Sequence, residues 1–214
     1  MRRLPYKDLG ATPIFVELPK QIENLALPDP ALVSMYRQFD RRVFWVQGEI
    51  NEDLLEISKM IMNINVEDEG KPIEERMPIK IYISSPGGDD VYTWNLVDTI
   101  AMSQTPVYTI NSCMAMSNGL TLLVAGHKRF TLPHATALFH SGSAEIGGTK
   151  EQLDSASKYI ASQDKVYEQW FLSKTDIDMK IFNRNKKKDW FLVADEMLKY
   201  KMVDKIVNDF SEIL

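Results

Sequence analysis

One cysteine, Cys113, stands among 214 residues. That excludes an internal disulfide and a cysteine-rich zinc site. It makes a reducing compartment the simpler reading. Histidine is nearly as scarce. His127, His134 and His140 are the only three, so any imidazole chemistry rests on one of them. Positive charge is not in surplus either. The formal net charge is -5, which leaves no electrostatic footprint for nucleic acid. Long hydrophobic runs are missing. The basic opening MRRLPYKDLG is not followed by the apolar stretch of a secretory signal. The apolar run within Cys113–Gly126 is too short to cross a membrane, and Ser117, Asn118 and Thr121 interrupt it. Repeats and low-complexity tracts are also lacking. The expectation is a soluble intracellular protein.

What remains is enough for one sizeable domain with a real core. Residues 1–40 carry Pro5, Pro13, Pro19, Pro28 and Pro30 and read as an irregular arm. Order is expected from residue 41 onward. VFWVQGEI (43–50) is β-branched and aromatic, as a strand requires. Asn51 can cap the helical pattern of Leu54, Leu55, Ile57, Ile61 and Ile64. A charged loop follows (66–78), then the strand IKIYIS (79–84) and a turn at Pro86-Gly87-Gly88. Asp90–Ser103 predicts a helix, VYTIN (107–111) a strand, and Ser117–Val124 an apolar helix closed by Gly126. RFTLP and TALFH read as strands. Thr149–Lys174 predicts a long amphipathic helix, with Leu153, Ala156, Ile160, Val166 and Trp170 on or near one face. Strands alternating with helices imply an α/β fold with a largely parallel sheet.

Three places could carry chemistry. Ser117 sits where a strand meets a helix, among residues small enough for a tight turn. Backbone N–H groups and the helix dipole favour an oxyanion there. Taken alone, Ser117 fits a helix-capping or small packing serine better than a nucleophile. Gly87 and Gly88, directly after a strand, can turn backbone N–H groups toward a ligand, although an ordinary turn explains them too. His140 ends an apolar strand and meets Ser141-Gly142, so it can project into a cleft or serve as a structural histidine.

Together these segments resemble one family, ClpP, the proteolytic subunit of the Clp proteases. The resemblance covers roughly residues 41–209. It rests on RRVFWVQGEI, IKIYISSPGG, the Asp-Thr pair of LVDTI, VYTINSCMAMSNGLTLLVAG, KRFTLPHATALFH and KKKDWFLVADEMLKYKMVDKI, in the family's order. It implies a ClpP/crotonase-type spiral of βαβ units with helix 149–174 as a projecting handle. It implies a serine peptidase in which Ser117 is the nucleophile, His140 the general base and Asp189 the orienting carboxylate. The backbone N–H groups of Gly88 and Asn118 would form the oxyanion hole, with Gly87, Asp89, Asp90, Ser141 and Gly142 beside the substrate. Such an enzyme needs neither cofactor nor metal. The family assembles heptameric rings stacked in pairs, sometimes with a second proteolytic subunit. An ATP-dependent unfoldase feeds them unfolded polypeptide, in the cytoplasm or in an organelle of bacterial origin.

The chemistry suits these residue types. A serine hydroxyl needs an imidazole to take its proton. The imidazole needs a buried carboxylate to hold its tautomer.

The sequence also departs from the family. Cys113 and Met116 replace smaller elbow residues, and His140-Ser141-Gly142 replaces His-Gln-Pro. Asp89 and Asp90 stand where apolar residues are usual, and Trp190 stands where an arginine follows the acid. Residues 1–40 do not match the family's N-terminal segment. These changes keep open a weak or silent structural subunit of a mixed ring. An acyl-CoA enzyme of the related crotonase group is the other rival, but it has no need of a Ser-His-Asp set.

Overall fold

The computed structural model describes residues 29–142 and 146–213. The chain divides into two compact units after Arg37. Helix α1 (Pro30–Asp40) stands in part of the segment expected to be irregular. Its origin is local. Pro30 has the fixed φ of a first helical residue, and the Asp29 carboxylate accepts from the Ala31 N–H at 2.9 Å. Residues 1–28 lie outside the described residues.

The second unit is built on seven strands. These are β1 (Val43–Ile50), β2 (Ile79–Gly88), β3 (Val107–Met116), β4 (Lys128–Thr131), β5 (Thr136–Phe139), β6 (Trp190–Leu192) and β7 (Lys205–Ile206). The main sheet runs β1-β2-β3-β4-β7, and every neighbouring pair in it is parallel. β3 forks: Tyr108–Asn111 pair with β4 and Met114–Met116 with β5. Antiparallel β6 closes the β5 branch. Ile79, Ile81, Ile83, Val107, Ile110 and Ala115 are buried. These continuous apolar strands are what a sheet covered on both faces demands.

Helices α2 (Leu54–Glu67), α3 (Asp90–Met102) and α4 (Asn118–Ala125) fill the crossovers. Residues Gly119–Ala125 of α4 are all buried, so its apolar surface runs all the way round. α5 spans Lys150–Lys174, and Thr149 and Gln152 close its start as a reciprocal capping box. α6 (Met179–Asn185) and α7 (Ala194–Lys199) frame β6. Among the described residues no helix is long and apolar enough to cross a membrane.

Four local expectations are corrected. Pro86-Gly87-Gly88 is the end of β2, with Gly87 opposite Glu49 and Gly88 opposite Ile50. Likewise Ser112–Met116 continue β3, where a turn was expected. The reason in both cases is a partner strand that the sequence does not announce. The charged segment after residue 65 remains helical to Glu67. Asn51 does accept from the Asp53 N–H at 2.8 Å, but the helix begins at Leu54, so Asn51 makes an Asx turn ahead of it.

Asp68, at the end of α2, has a side chain only 1% exposed. It accepts from Arg42 at 2.9 Å, Lys71 at 2.7 Å and Thr105 at 3.1 Å. The Arg42 hydrogen bond, with those of Lys71 and Thr105, holds its carboxyl far below the usual carboxylate range despite burial. A carboxyl depressed in the fold stabilises above its unfolded pKa of about 3.9, and the contribution is lost as pH falls below that. Asp68→Ala is expected to cost about 3–5 kcal/mol at neutral pH, because the largely buried Arg42 keeps only the exposed Glu67 carboxylate at 3.9 Å and the Met77 carbonyl. In urea titrations the gap from wild type should narrow by up to about 2 kcal/mol toward pH ~2.5. A gap independent of pH would contradict this account.

Candidate active site

Two backbone irregularities shape the end of β2. Gly48 in β1 has φ 74 and Gly87 has φ 104, and the β1/β2 register shifts between Gln47 and Glu49. The fully buried Ser85 pins both. Its hydroxyl donates to the Gly48 carbonyl at 2.7 Å and accepts from the Gly87 N–H at 3.0 Å. Bulges of this kind re-aim a strand end. Here the chain at Gly87 is driven against the end of β3. A Cβ on Gly87 would lie 2.7 Å from the Ser117 Cβ and 2.9 Å from the Met116 carbonyl oxygen. Only glycine fits. Nothing in the sequence distinguishes Ser85 from the adjacent Ser84, so its role emerges only from the fold.

Ser117 follows β3 with φ 52 and ψ -121, a conformation costly for a residue with a side chain. Its N–H donates to the Leu138 carbonyl at 2.9 Å. Its carbonyl accepts from Leu120 at 2.9 Å and Thr121 at 3.3 Å, starting α4. The hydroxyl makes no capping bond, which removes the capping explanation. A strained serine between a strand and a buried helix is the geometry of a nucleophile elbow. Ser112 donates to the Ile83 carbonyl at 3.0 Å and is structural.

The fork of β3 sets His140 beside this elbow. Met116 pairs with Leu138, so Ser117 and His140 leave neighbouring strands at the same end of the sheet. Phe139 anchors that end among Tyr167, Phe171, Phe182 and Trp190. Phe139 pairs with Trp190 across the antiparallel ladder, which brings Asp189 level with His140. His140 Nδ1 lies 3.8 Å from Asp189 Oδ1, with the two side chains 31% and 63% exposed. The carboxylate is therefore not buried as expected, and 3.8 Å exceeds a hydrogen bond. Ser117 and His140 are not hydrogen-bonded to each other.

The remaining candidates fall as follows. Asp89 caps α3, accepting from Val91 N–H at 2.7 Å and Tyr92 N–H at 3.3 Å. That carboxylate is engaged with the helix N-terminus. Asp90 instead accepts from the Asn118 amide at 2.6 Å. The Ser141 hydroxyl donates to the Lys186 carbonyl, tying the end of β5 to the loop that carries Asp189. Gly142 is exposed and open. Gly88 lies against β1, where a Cβ would come 2.4 Å from the Ile50 carbonyl oxygen.

A family model described as Clp protease matches residues 31–210. The chain belongs to the Clp protease family. The match takes in residues 31–40, which were expected to fall outside the family pattern. Curated relatives agree along nearly the whole length. The ATP-dependent Clp protease proteolytic subunit of Deinococcus radiodurans is 29% identical over 197 residues, 91% of this chain and 94% of that protein. Proteolytic subunit 2 of Tropheryma whipplei (strain Twist) is 30% identical over 173 residues, 79% of this chain and 93% of the relative. The proteolytic subunit of Ligilactobacillus salivarius is 26% identical over 199 residues, 92% and 98% of the two chains. The mixed α/β, parallel-dominated sheet with its crossover helices is thus a ClpP-type fold.

Proposed function

We propose that this Clp protease chain is an endopeptidase subunit that cleaves unfolded polypeptide by a Ser-His-Asp mechanism. Ser117 is the nucleophile, His140 the base that takes its proton and later returns it to the leaving amine, and Asp189 the group that orients the imidazole. The N–H groups of Gly88 and Asn118 receive the oxyanion, each donor contributing about 3–4 kcal/mol to the transition state. Peptide lies along Gly87–Asp90 and past Ser141-Gly142. No cofactor is required.

The observation that carries this reading is the strained Ser117 elbow with φ 52, level with His140 through the β3/β5 pairing. The experiment is labelling with a fluorophosphonate and mapping of the adduct. Modification of Ser117 alone is expected, and an unlabelled protein would defeat the reading. Such an outcome would favour a second one, a silent structural subunit of a mixed Clp ring. What favours it is the 3.8 Å gap between His140 and the exposed Asp189.

The setting we propose is a heptameric ring of copies of this chain, alone or with another Clp proteolytic subunit, stacked in pairs in the cytoplasm and served by an ATP-dependent unfoldase. α5 supports the stacking. Phe171 is its only fully buried residue and Tyr167 is half-buried, while Leu153, Tyr159 and Val166 are exposed at 40%, 64% and 52%. Apolar groups so exposed gain from a partner surface. Ile160→Glu with Val166→Glu is expected to separate stacked rings into single ones with the thermal midpoint unchanged. Native mass spectrometry checks this, and an intact double ring would exclude α5 from the contact.

A further inference from the structure

Asn118 follows the elbow serine, and its side chain turns back across the cleft. Its amide donates to the Gly88 carbonyl at 2.7 Å and to Asp90 Oδ1 at 2.6 Å. Its own oxygen lies 3.5 Å from the Thr121 hydroxyl, which lies 3.4 Å from the Tyr167 hydroxyl. These partners fix the orientation of the amide. Flipped, its oxygen would face a carbonyl and a carboxylate at hydrogen-bond distance, with no proton between them. Elsewhere the 87–90 strip is held by β1 and by its own strand. Asp89 N–H donates to the Ile50 carbonyl at 3.0 Å and Gly87 N–H to Ser85. Its hydrogen bonds to the elbow side come from Asn118.

We infer that the Asn118 side chain is a positioning residue that clamps the Gly88–Asp90 strip to the nucleophile elbow. It thereby sets the separation of the two oxyanion donors. The inference rests on the Ser-His-Asp reading above. One residue then supplies one donor through its backbone and locates the other through its side chain. Preorganised donors act only if their spacing is fixed before reaction, and a misplacement near 1 Å costs about 100-fold. The clamp has a second consequence. Asp90 brings a carboxylate close to where negative charge develops. The amide proton lies on that carboxylate, so part of its field is met locally.

Asp90 from α3 and Tyr167 from α5 are the titratable groups tied to this cluster. Burial, set against the Thr121 hydrogen bond and joined by the Asp90 charge, pushes the Tyr167 phenol up to about 12. It therefore stays neutral over the working range, and His140 is common to every variant compared.

The test uses the full-length assembled protein and a short fluorogenic peptide. Asn118→Ala is expected to lower kcat about 10- to 100-fold with KM within about two-fold, because the lost interaction acts in the transition state. Fluorophosphonate should still modify Ser117 in it. Asn118→Asp places two carboxylates in contact, and such a pair holds a shared proton at raised pKa. Protonation restores a donor. The ratio of its kcat to wild type should therefore rise at least about three-fold from pH ~8 to pH ~6, a signature that a purely structural role would not give. Adding Asp90→Asn to Asn118→Asp restores a donor–acceptor pair and should flatten that ratio. Wild-type kcat in Asn118→Ala, or a pH-independent ratio in Asn118→Asp, would overturn the clamp. If Asn118→Ala fails to fold, Asp90→Ala carries the same test, since Asp89 still caps α3. It should lower kcat by several-fold, and an unchanged kcat overturns the clamp. A wild-type protein that is not labelled at Ser117 would instead refute the Ser-His-Asp reading itself, so the two failures are distinct.

Discussion

Ser117→Ala is expected to lower peptide hydrolysis by about 10⁴- to 10⁶-fold, the range lost when the nucleophile of a triad is removed. Assembly and stability should be almost unchanged. The hydroxyl makes no capping hydrogen bond, so removing it leaves no buried partner unsatisfied. Alanine also keeps the strained backbone at φ 52. Ser117→Gly separates the two properties. Glycine occupies that region without a Cβ penalty, so this variant should be equally inactive but more stable than Ser117→Ala, by about 1 kcal/mol. Hydrolysis is read by fluorogenic peptide turnover and stability by urea denaturation. Turnover by Ser117→Ala near the wild-type rate would remove Ser117 from the mechanism. Equal stability of the two variants would show that the elbow stores no strain.

The second large effect is expected at Gly87. Its φ is 104, and a Cβ there would sit 2.7 Å from the Ser117 Cβ. Two rigid elements meet at this point, the end of β2 and the elbow after β3. Neither can yield without shifting the register of a buried strand. Gly87→Ala therefore combines overpacking, about 1–3 kcal/mol, with a disfavoured φ, about 1–3 kcal/mol. A total loss of about 2–6 kcal/mol of stability is expected. The protein that still folds should lose about 100-fold or more in kcat, because in the proposed mechanism the serine and the oxyanion donors move apart. Gly147→Ala is the control. A Cβ there meets nothing within 4 Å, so it should be neutral within about 0.5 kcal/mol. A Gly87→Ala protein with wild-type turnover and stability would disprove the close approach.

Much of this was legible in the chain itself. Apolar runs such as IKIYI and the helical spacing through Ile57, Ile61 and Ile64 announce a buried parallel sheet with crossover helices. That signal is local, written in periods of two and of 3.6 residues. Thr149 and Gln152 mark the start of α5 as a capping pair separated by three residues. Asp29-Pro30 carried an equally local helix signal for α1, which the surrounding prolines obscured. Single residues fixed the inventory of the site too. With three histidines and one cysteine in the chain, few side chains could serve as an imidazole base or a thiolate.

Pairing across the sheet was not legible. Pro86-Gly87-Gly88 has turn composition, yet it is strand because β1 runs beside it, the extra residue of β2 being taken up by the register shift opposite Gly48. Turn and bulge need the same positive-φ glycines, and only the neighbour decides between them. Asp89 and Asp90 are likewise equivalent in sequence. The start of α3 gave Asp89 to the helix cap and left Asp90 to Asn118.

The sequence by itself determined the α/β class through its hydrophobic periods, and the family through the likeness of its segments to Clp proteases. It also supplied the residue types of the proposed site, since each residue carries its own side-chain chemistry. Only the tertiary structure decided that Ser85 pins Gly48 and Gly87 at the β1/β2 register shift and that Gly87 presses on Ser117. It also decided that Asp189 is exposed at 3.8 Å from His140 and that the Asn118 amide spans the cleft. Each of these is a distance between strands or helices far apart in the chain. Such distances are set by register and packing, where a shift of one residue turns every side chain to the opposite face.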